Sequence, residues 1–363
     1  MNVKQEITDL TVCRAFFAAW VFIYHVDLHA QFSAYLGPFG SIIHRGYLGV
    51  DGFFLLSGLI LARVHPELGK SPQGAIRFWL RRLARIYPVH LATILLLMGF
   101  VALSAAMGFT PRDPQRFTNA ALVQNLLLVH GWGFSDHWAW NYPSWSISTE
   151  WAGYLLFPVL ALFLGLCPDI LVAQLGVLCI PILGLIAYSS GVGLNATFVD
   201  ALPRFFPEFI WGMATARLVP VVADNLPTRG MAISGAIIIL LALLISTDVA
   251  VLFGLWLVLA GLTMHADAER PPLFRNNRVL RWLGKLSYAY YMSFALSEML
   301  LAQLFRRLAW DPAGHMFAYA GAMTLLTFML AVILHMLVEV PCRRFADHLL
   351  DAPRPLAVAG QRL

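Results

Sequence analysis

The chain reads as long apolar runs separated by short breaks rich in charge, Gly or Pro. The runs cover roughly 9–30, 46–64, 86–108, 144–166, 170–189, 204–222, 230–247, 249–266, 283–305 and 316–340. Each approaches the ~20 residues that a helix needs to cross a ~30 Å hydrocarbon core. A shorter run, 118–131, is too brief to span and predicts a re-entrant or interfacial helix packed against protein. The pattern predicts an all-α membrane protein, a polytopic bundle of about ten transmembrane helices, with eleven as the competing count.

Composition narrows the class. Hydrophobic residues make up 59% of the 363 and charged residues only 12%, with a mean hydropathy of +0.71. A soluble domain carries about 25% charge. A soluble globular enzyme, a disordered chain and a nucleic-acid-binding module are therefore excluded. Cys13, Cys167, Cys179 and Cys342 sit in or near apolar runs, at no redox or metal-ligand spacing. No metal site and no permanently bound cofactor are expected. The first run carries Arg14 and His25 without a small-residue cleavage motif, so it reads as a retained span.

The placement of charge says more than the net +5. With the N-terminus in the cytoplasm, 18 of the 25 Lys and Arg fall in inner segments, six in outer ones and Arg14 inside the first span. This asymmetry orients the bundle by the positive-inside rule. It predicts cytoplasmic N- and C-termini in a plasma or bacterial inner membrane, and favours an even number of spans. Residues 1–345 form one transmembrane domain, and 346–363 a short cytoplasmic tail.

Ionisable groups inside spans are costly and mark function by default. Arg14 and His25 are 11 residues apart, close to three helical turns, so both project from one face about 16 Å apart. A guanidinium binds phosphate or carboxylate, and an imidazole exchanges a proton near neutral pH. Asp51 and Glu150 fall at outer depths similar to that of His25, and a structural ion-pair network is the alternative for both. Arg77, Arg81, Arg82 and Arg85 form an inner basic cluster, suited to the phosphates of a nucleotide-containing donor or to lipid headgroups. The outer connection 109–143 holds Trp132, Phe134, Trp138, Trp140 and Tyr142. These serve either as an interfacial aromatic belt or as a stacking platform for a sugar acceptor. Trp138, Trp140 and, just after them, Trp145 are the candidate acceptor contacts.

Six segments in order resemble acyltransferase family 3, the integral membrane enzymes that acylate sugars, polysaccharides and lipids. They are Arg14 with His25, GYLGVDGFFLLSG at 46–58, RRLARIYP at 81–88, WSISTEW at 145–151, LGKLSYAYYM at 283–292 and VEVPCRR at 338–344. Together they span nearly the whole chain. The resemblance implies O-acylation, usually O-acetylation, from cytoplasmic acetyl-CoA onto a hydroxyl at or beyond the outer face. It implies functional roles for Arg14, His25, Asp51, Ser57, Arg82, Arg85, Glu150 and Tyr288. Arg14, Arg81, Arg82, Arg85, Ser57 and Tyr288 are then the candidate donor contacts, and His25, Asp51 and Glu150 the candidate catalytic residues. One departure is Phe294, where many members of the family carry His.

The expected chemistry has His25 as general base on the acceptor hydroxyl, with Asp51 or Glu150 orienting the imidazole. The partners are then an acyl-CoA, a glycan, lipid or glycoside acceptor and the bilayer. The acyl group, the acceptor and oligomerisation, including a homo-oligomer, stay open. The rival from another class is a transporter or flippase of a lipid-linked or sugar-like solute.

Overall fold

A computed structural model describes residues 7–108, 113–222, 227–274 and 277–351. Lys4, Arg112, Arg275, Arg354 and Arg362, counted in the charge asymmetry, lie outside them. The described residues are almost wholly helical and include no strand. In chain order the helices are α1 (Thr8–Ala30), α2 (Gly40–His44), α3 (Gly49–Val64), α4 (Pro72–Ala106), α5 (Asn119–Leu126), α6 (Trp145–Leu166), α7 (Asp169–Ser189), α8 (Ala201–Val222), α9 (Thr228–Leu244), α10 (Asp248–Asp267), α11 (Arg278–Arg307), α12 (Met316–Leu334) and α13 (Val340–Asp351).

Local chemistry sets several helix ends. Ser71 caps α4 by accepting from the Gly74 N–H, and Pro72 fills the first helical position, where no amide donor is needed. Asn277 caps α11 through the amides of Val279 and Leu280. The α1 helix stops at Gln31, whose left-handed backbone turns its N–H back to the Asp27 carbonyl.

Among the described residues, seven helices are long and apolar enough to cross a membrane. The three further runs fold as helices too, but differently. The α9 helix is apolar but has only 17 residues. The α8 and α11 helices carry Arg204, Glu208, Tyr288, Tyr291 and Glu298, which lower their hydropathy and point into protein rather than lipid. The 118–131 run gives only the eight-residue α5, about 12 Å long and too short to span. It packs on α4, where Tyr87 donates to the Leu126 carbonyl and the His90 ring meets the Asn125 carbonyl. The α4 helix starts 14 residues before the apolar run and, at 35 residues, is about 52 Å long. Its first turns therefore stand clear of the apolar stretch and carry the basic cluster. At the other end of the chain, helix continues past 345 to Asp351, and 352–363 lie outside the described residues.

Contacts fix relative directions. The α1, α4 and α11 helices run parallel, and α12 runs antiparallel to α11 through Phe305–Tyr319 and Trp282–Phe328. The α3, α6, α8 and α10 helices form a second parallel set. Their links are Phe54–Trp145, Ser57–Glu150, Asp51–Arg204 and Arg63–Asp267. Gly58 of α3 lies on the backbone of Phe209, and Gly212 of α8 lies on the backbone of Leu55. A Cβ at either would meet main-chain atoms, so the two helices approach as only glycine permits. Exposed apolar side chains such as Val159, Val177, Leu185 and Leu241 coat the periphery, where lipid replaces water.

Candidate active site

Arg14 stands near the start of α1 and His25 near its end, both turned toward α11. The Arg14 Nε donates to Ser287 Oγ at 3.4 Å, and the His25 ring lies 4.5 Å from that of Phe294. The shared face predicted for them is observed, and it divides the site into two parts.

The part at the Arg14 end, inner by the positive-inside expectation, is a narrow chamber of about 80 Å³ among α1, α3, α4, α6 and α11. Its wall includes Arg14, Ser57, Arg82, Arg85, Glu150 and Tyr288, so six of the sequence-predicted residues converge there. Glu150 accepts from Ser57 Oγ at 2.7 Å and from Tyr154 Oη at 2.6 Å. Arg82 lies over the rings of Phe78 and Tyr154, at 5.4 and 5.6 Å. Tyr288 donates to the Ile86 carbonyl, where α4 and α11 meet. Tyr154 and Ser287 were not singled out in the sequence, although Tyr154 is one turn from Glu150.

Below the chamber a larger hollow of about 350 Å³ is lined by His65, Arg77, Arg81, Arg82, Arg85 and Arg343. Arg82 and Arg85 line both cavities, so the basic mouth and the chamber share a wall. Arg81 belongs to the mouth alone, and its guanidinium pairs with Asp351 and Asp347 of α13. Burial and the charges of Arg82 and Arg81 push the His65 imidazole down to about 4, so it stays neutral beside them. Arg343, far from α4 in sequence, reaches the mouth only because α13 packs back on that helix.

The outer part is a hydrogen-bonded cluster around His25. Tyr142 Oη lies 3.1 Å from His25 Nδ1 and donates to Glu298 Oε2 at 2.6 Å. The other Glu298 oxygen is 2.9 Å from His29 Nε2. Glu298 is the one acidic residue of the 283–305 run, so the signal that flagged Asp51 and Glu150 applied to it as well.

The expectation that Asp51 or Glu150 orients His25 does not match this geometry. Asp51 is fully buried and held by Arg204, with Nε–Oδ1 at 2.9 Å and Nη2–Oδ2 at 2.5 Å. A carboxylate closed by a bidentate guanidinium joins α3 to α8, which is the structural alternative for this residue. Glu150 faces the chamber, not the imidazole. The three tryptophans also separate. Trp145 packs between Phe54 and the Arg204 guanidinium, and Trp140 is buried with its indole donating to the Thr118 carbonyl. Of the three, Trp138 alone is exposed, and it meets the Phe198 ring at a 54° tilt and Tyr142 edge-on. Among the described residues no three His, Cys, Asp or Glu side chains gather as a metal ion requires.

The family described as "Acyltransferase domain", acyltransferase 3, matches residues 7–336. The chain belongs to this acyltransferase family. Acyltransferase MdmB of Streptomyces mycarofaciens is 30% identical over 98% of this chain and 95% of its own length. O-acetyltransferase OatA of Staphylococcus aureus is 28% identical over 45% of this chain and 26% of its own. YrhL of Bacillus subtilis, whose name gives peptidoglycan O-acetylation as its proposed activity, is 24% identical over 79% of this chain and 48% of its own. The chain therefore covers about a quarter of the length of OatA and about half that of YrhL, but nearly all of MdmB. No solved structure matches. As a member of the family with seven membrane-length helices, the chain is a multi-pass membrane acyltransferase.

Proposed function

We propose that this acyltransferase moves an acyl group, acetyl first, from cytoplasmic acyl-CoA to a hydroxyl of an outward-facing glycan, glycolipid or glycoside. The observation that carries the reading is the pair of cavities joined at Arg82 and Arg85. A CoA ester is a long donor with phosphates at one end and a thin pantetheine arm at the other. The wide mouth with five arginines suits the phosphates, and the narrow chamber suits the arm. Arg14 and Glu150 then flank the thioester's path toward the half of α1 that holds His25.

His25 acts as general base. It takes the hydroxyl proton as the acceptor oxygen attacks the thioester carbonyl. Arg14, whose guanidinium lines the chamber, stabilises the oxyanion. OatA and YrhL carry O-acetylation in their names, which favours acetyl, and YrhL adds a glycan acceptor. Trp138, exposed beside Tyr142, is the stacking surface for such an acceptor.

Ten crossings with both termini cytoplasmic accompany this reading. The α1, α4 and α11 helices are odd-numbered in a ten-span order, and α3, α6, α8 and α10 are even-numbered. Helices within each set run parallel, which supports strict alternation. The basic mouth then opens on the cytoplasmic face of the inner membrane, where acyl-CoA is made.

Inside-out membrane vesicles carrying the protein test the reading with [14C]acetyl-CoA. Base-labile label in the envelope fraction is expected from wild type and lost with His25→Ala. A transporter would move solute without incorporating label, and near-normal labelling by folded His25→Ala would sink the assignment.

A further inference from the structure

The carboxylate that acts on His25 is on a different helix from the two that the sequence put forward. We infer that Glu298, acting through the Tyr142 hydroxyl, is the positioning residue that makes Nε2 of His25 the basic nitrogen. The inference rests on the reading of His25 as general base.

A phenol carries one proton. In Tyr142 that proton lies on the 2.6 Å contact to Glu298 Oε2. Toward His25 the phenol oxygen therefore presents only lone pairs, 3.1 Å from Nδ1. A neutral imidazole placed there holds its proton on Nδ1 and donates it to Tyr142. The lone pair is left on Nε2. Glu298 cannot swing away from this task, because its second oxygen meets His29 Nε2 at 2.9 Å. Phe294, one turn before Glu298 on α11, packs against the imidazole at 4.5 Å between ring centroids and fixes the plane of the ring.

The chain of groups also balances the reaction. As the acceptor oxygen bonds to the acyl carbon, its proton passes to Nε2, giving an imidazolium. That cation lies one phenol away from the Glu298 carboxylate, which offsets its charge. The C–S bond then breaks, and the CoA thiolate takes the proton back from Nε2. Ester and CoA thiol leave, and His25, Tyr142 and Glu298 return to their starting state.

The full-length protein in inside-out vesicles, with [14C]acetyl-CoA as the probe, tests this. Glu298→Gln and Tyr142→Phe are nearly isosteric. Each is expected to lower kcat about 10- to 100-fold, with the KM for acetyl-CoA within about two-fold of wild type. The double variant is expected to be no slower than the slower single variant, because both break one chain. Glu298→Asp, which keeps the charge, is expected to recover part of the rate. A residue that only supports the fold would give additive losses, and Asp would be no better than Gln. Rates within two-fold of wild type for both single variants, or additive losses, overturn the inference while His25→Ala stays inactive. Activity in His25→Ala would instead overturn the reading of the base itself. Should Glu298→Gln fail to yield monodisperse protein, the Tyr142→Phe rate and its KM decide.

Discussion

The two halves of the α1–α11 seam hold their polar groups by different means. At the inner end Arg14, Arg82 and Arg85 bring fixed positive charge to a narrow chamber, with Glu150 as the opposing carboxylate. At the outer end His25, Tyr142, Glu298 and His29 are linked by directed hydrogen bonds. An array of guanidinium groups is charged at any working pH and binds an anion without demanding one pose. A hydrogen-bonded imidazole instead has one tautomer and one basic atom. On the proposed reading this difference separates donor capture from proton transfer, about three helical turns apart on one helix.

The comparison breaks most sharply at the outer end. His25→Ala is expected to cut transfer about 10²- to 10⁴-fold, read as base-labile acetyl incorporation, while the protein stays folded. Retained turnover would mean that the outer cluster is structural. The next effect is on stability. Arg204→Met leaves the buried Asp51 without its partner, and losses of this kind run to about 3–5 kcal/mol. The expected result is a lower melting temperature in detergent, with much of the loss recovered in the double variant Arg204→Met/Asp51→Leu. A single variant as stable as wild type would return Asp51 to the list of functional carboxylates.

At the inner end, Arg82→Gln or Arg85→Gln is expected to raise the KM for acetyl-CoA about ten-fold, or ~1.4 kcal/mol, with a smaller change in kcat. The same KM should rise with ionic strength, since mouth and donor meet through charge. A salt-independent KM would argue against phosphate capture there. Trp138→Ala is expected to raise the acceptor KM a few-fold and leave the donor KM unchanged. The smallest effect concerns His65. Its imidazole is held at about 4 in the folded protein, against about 6.5 when free. The unfolded chain therefore takes up this proton first as pH falls, and stability drops between about pH 6.5 and 4. His65→Gln is expected to show a slightly shallower decline in melting temperature from pH 7 to 5.

Much of this was legible in the chain. The runs of apolar residues located every long helix to within a few residues, apart from the early start of α4. The run itself was blind to that extension, because Arg77, Arg81 and Arg82 are good helix formers without being apolar. The Arg14–His25 spacing revealed a shared face, because both lie on one helix and obey its period. Arg14, Ser57, Arg82, Arg85 and Tyr288, singled out in the sequence as candidate donor contacts, line one chamber, and Arg81 does not. Depth along a span failed as a guide to contact. Asp51 and Glu150 were placed near His25 by depth, yet each is taken by a neighbour on another helix, Arg204 for one and Ser57 and Tyr154 for the other.

The sequence by itself determined which segments are helices, where the basic residues cluster between them, and which polar side chains share a helix face. Each of these follows from local periodicity and from the cost of placing charge in hydrocarbon, and neither needs knowledge of neighbours. Only the tertiary structure decided which helices touch. That choice closed Asp51 onto Arg204, brought Arg343 of α13 to the mouth on α4, and set Glu298 of α11 against Tyr142. A hydrogen bond at 2.6–3.1 Å depends on the rotation and axial register of two helices far apart in sequence. Their registers are set by packing of small residues and rings, as where Gly58 and Gly212 let α3 and α8 close on each other.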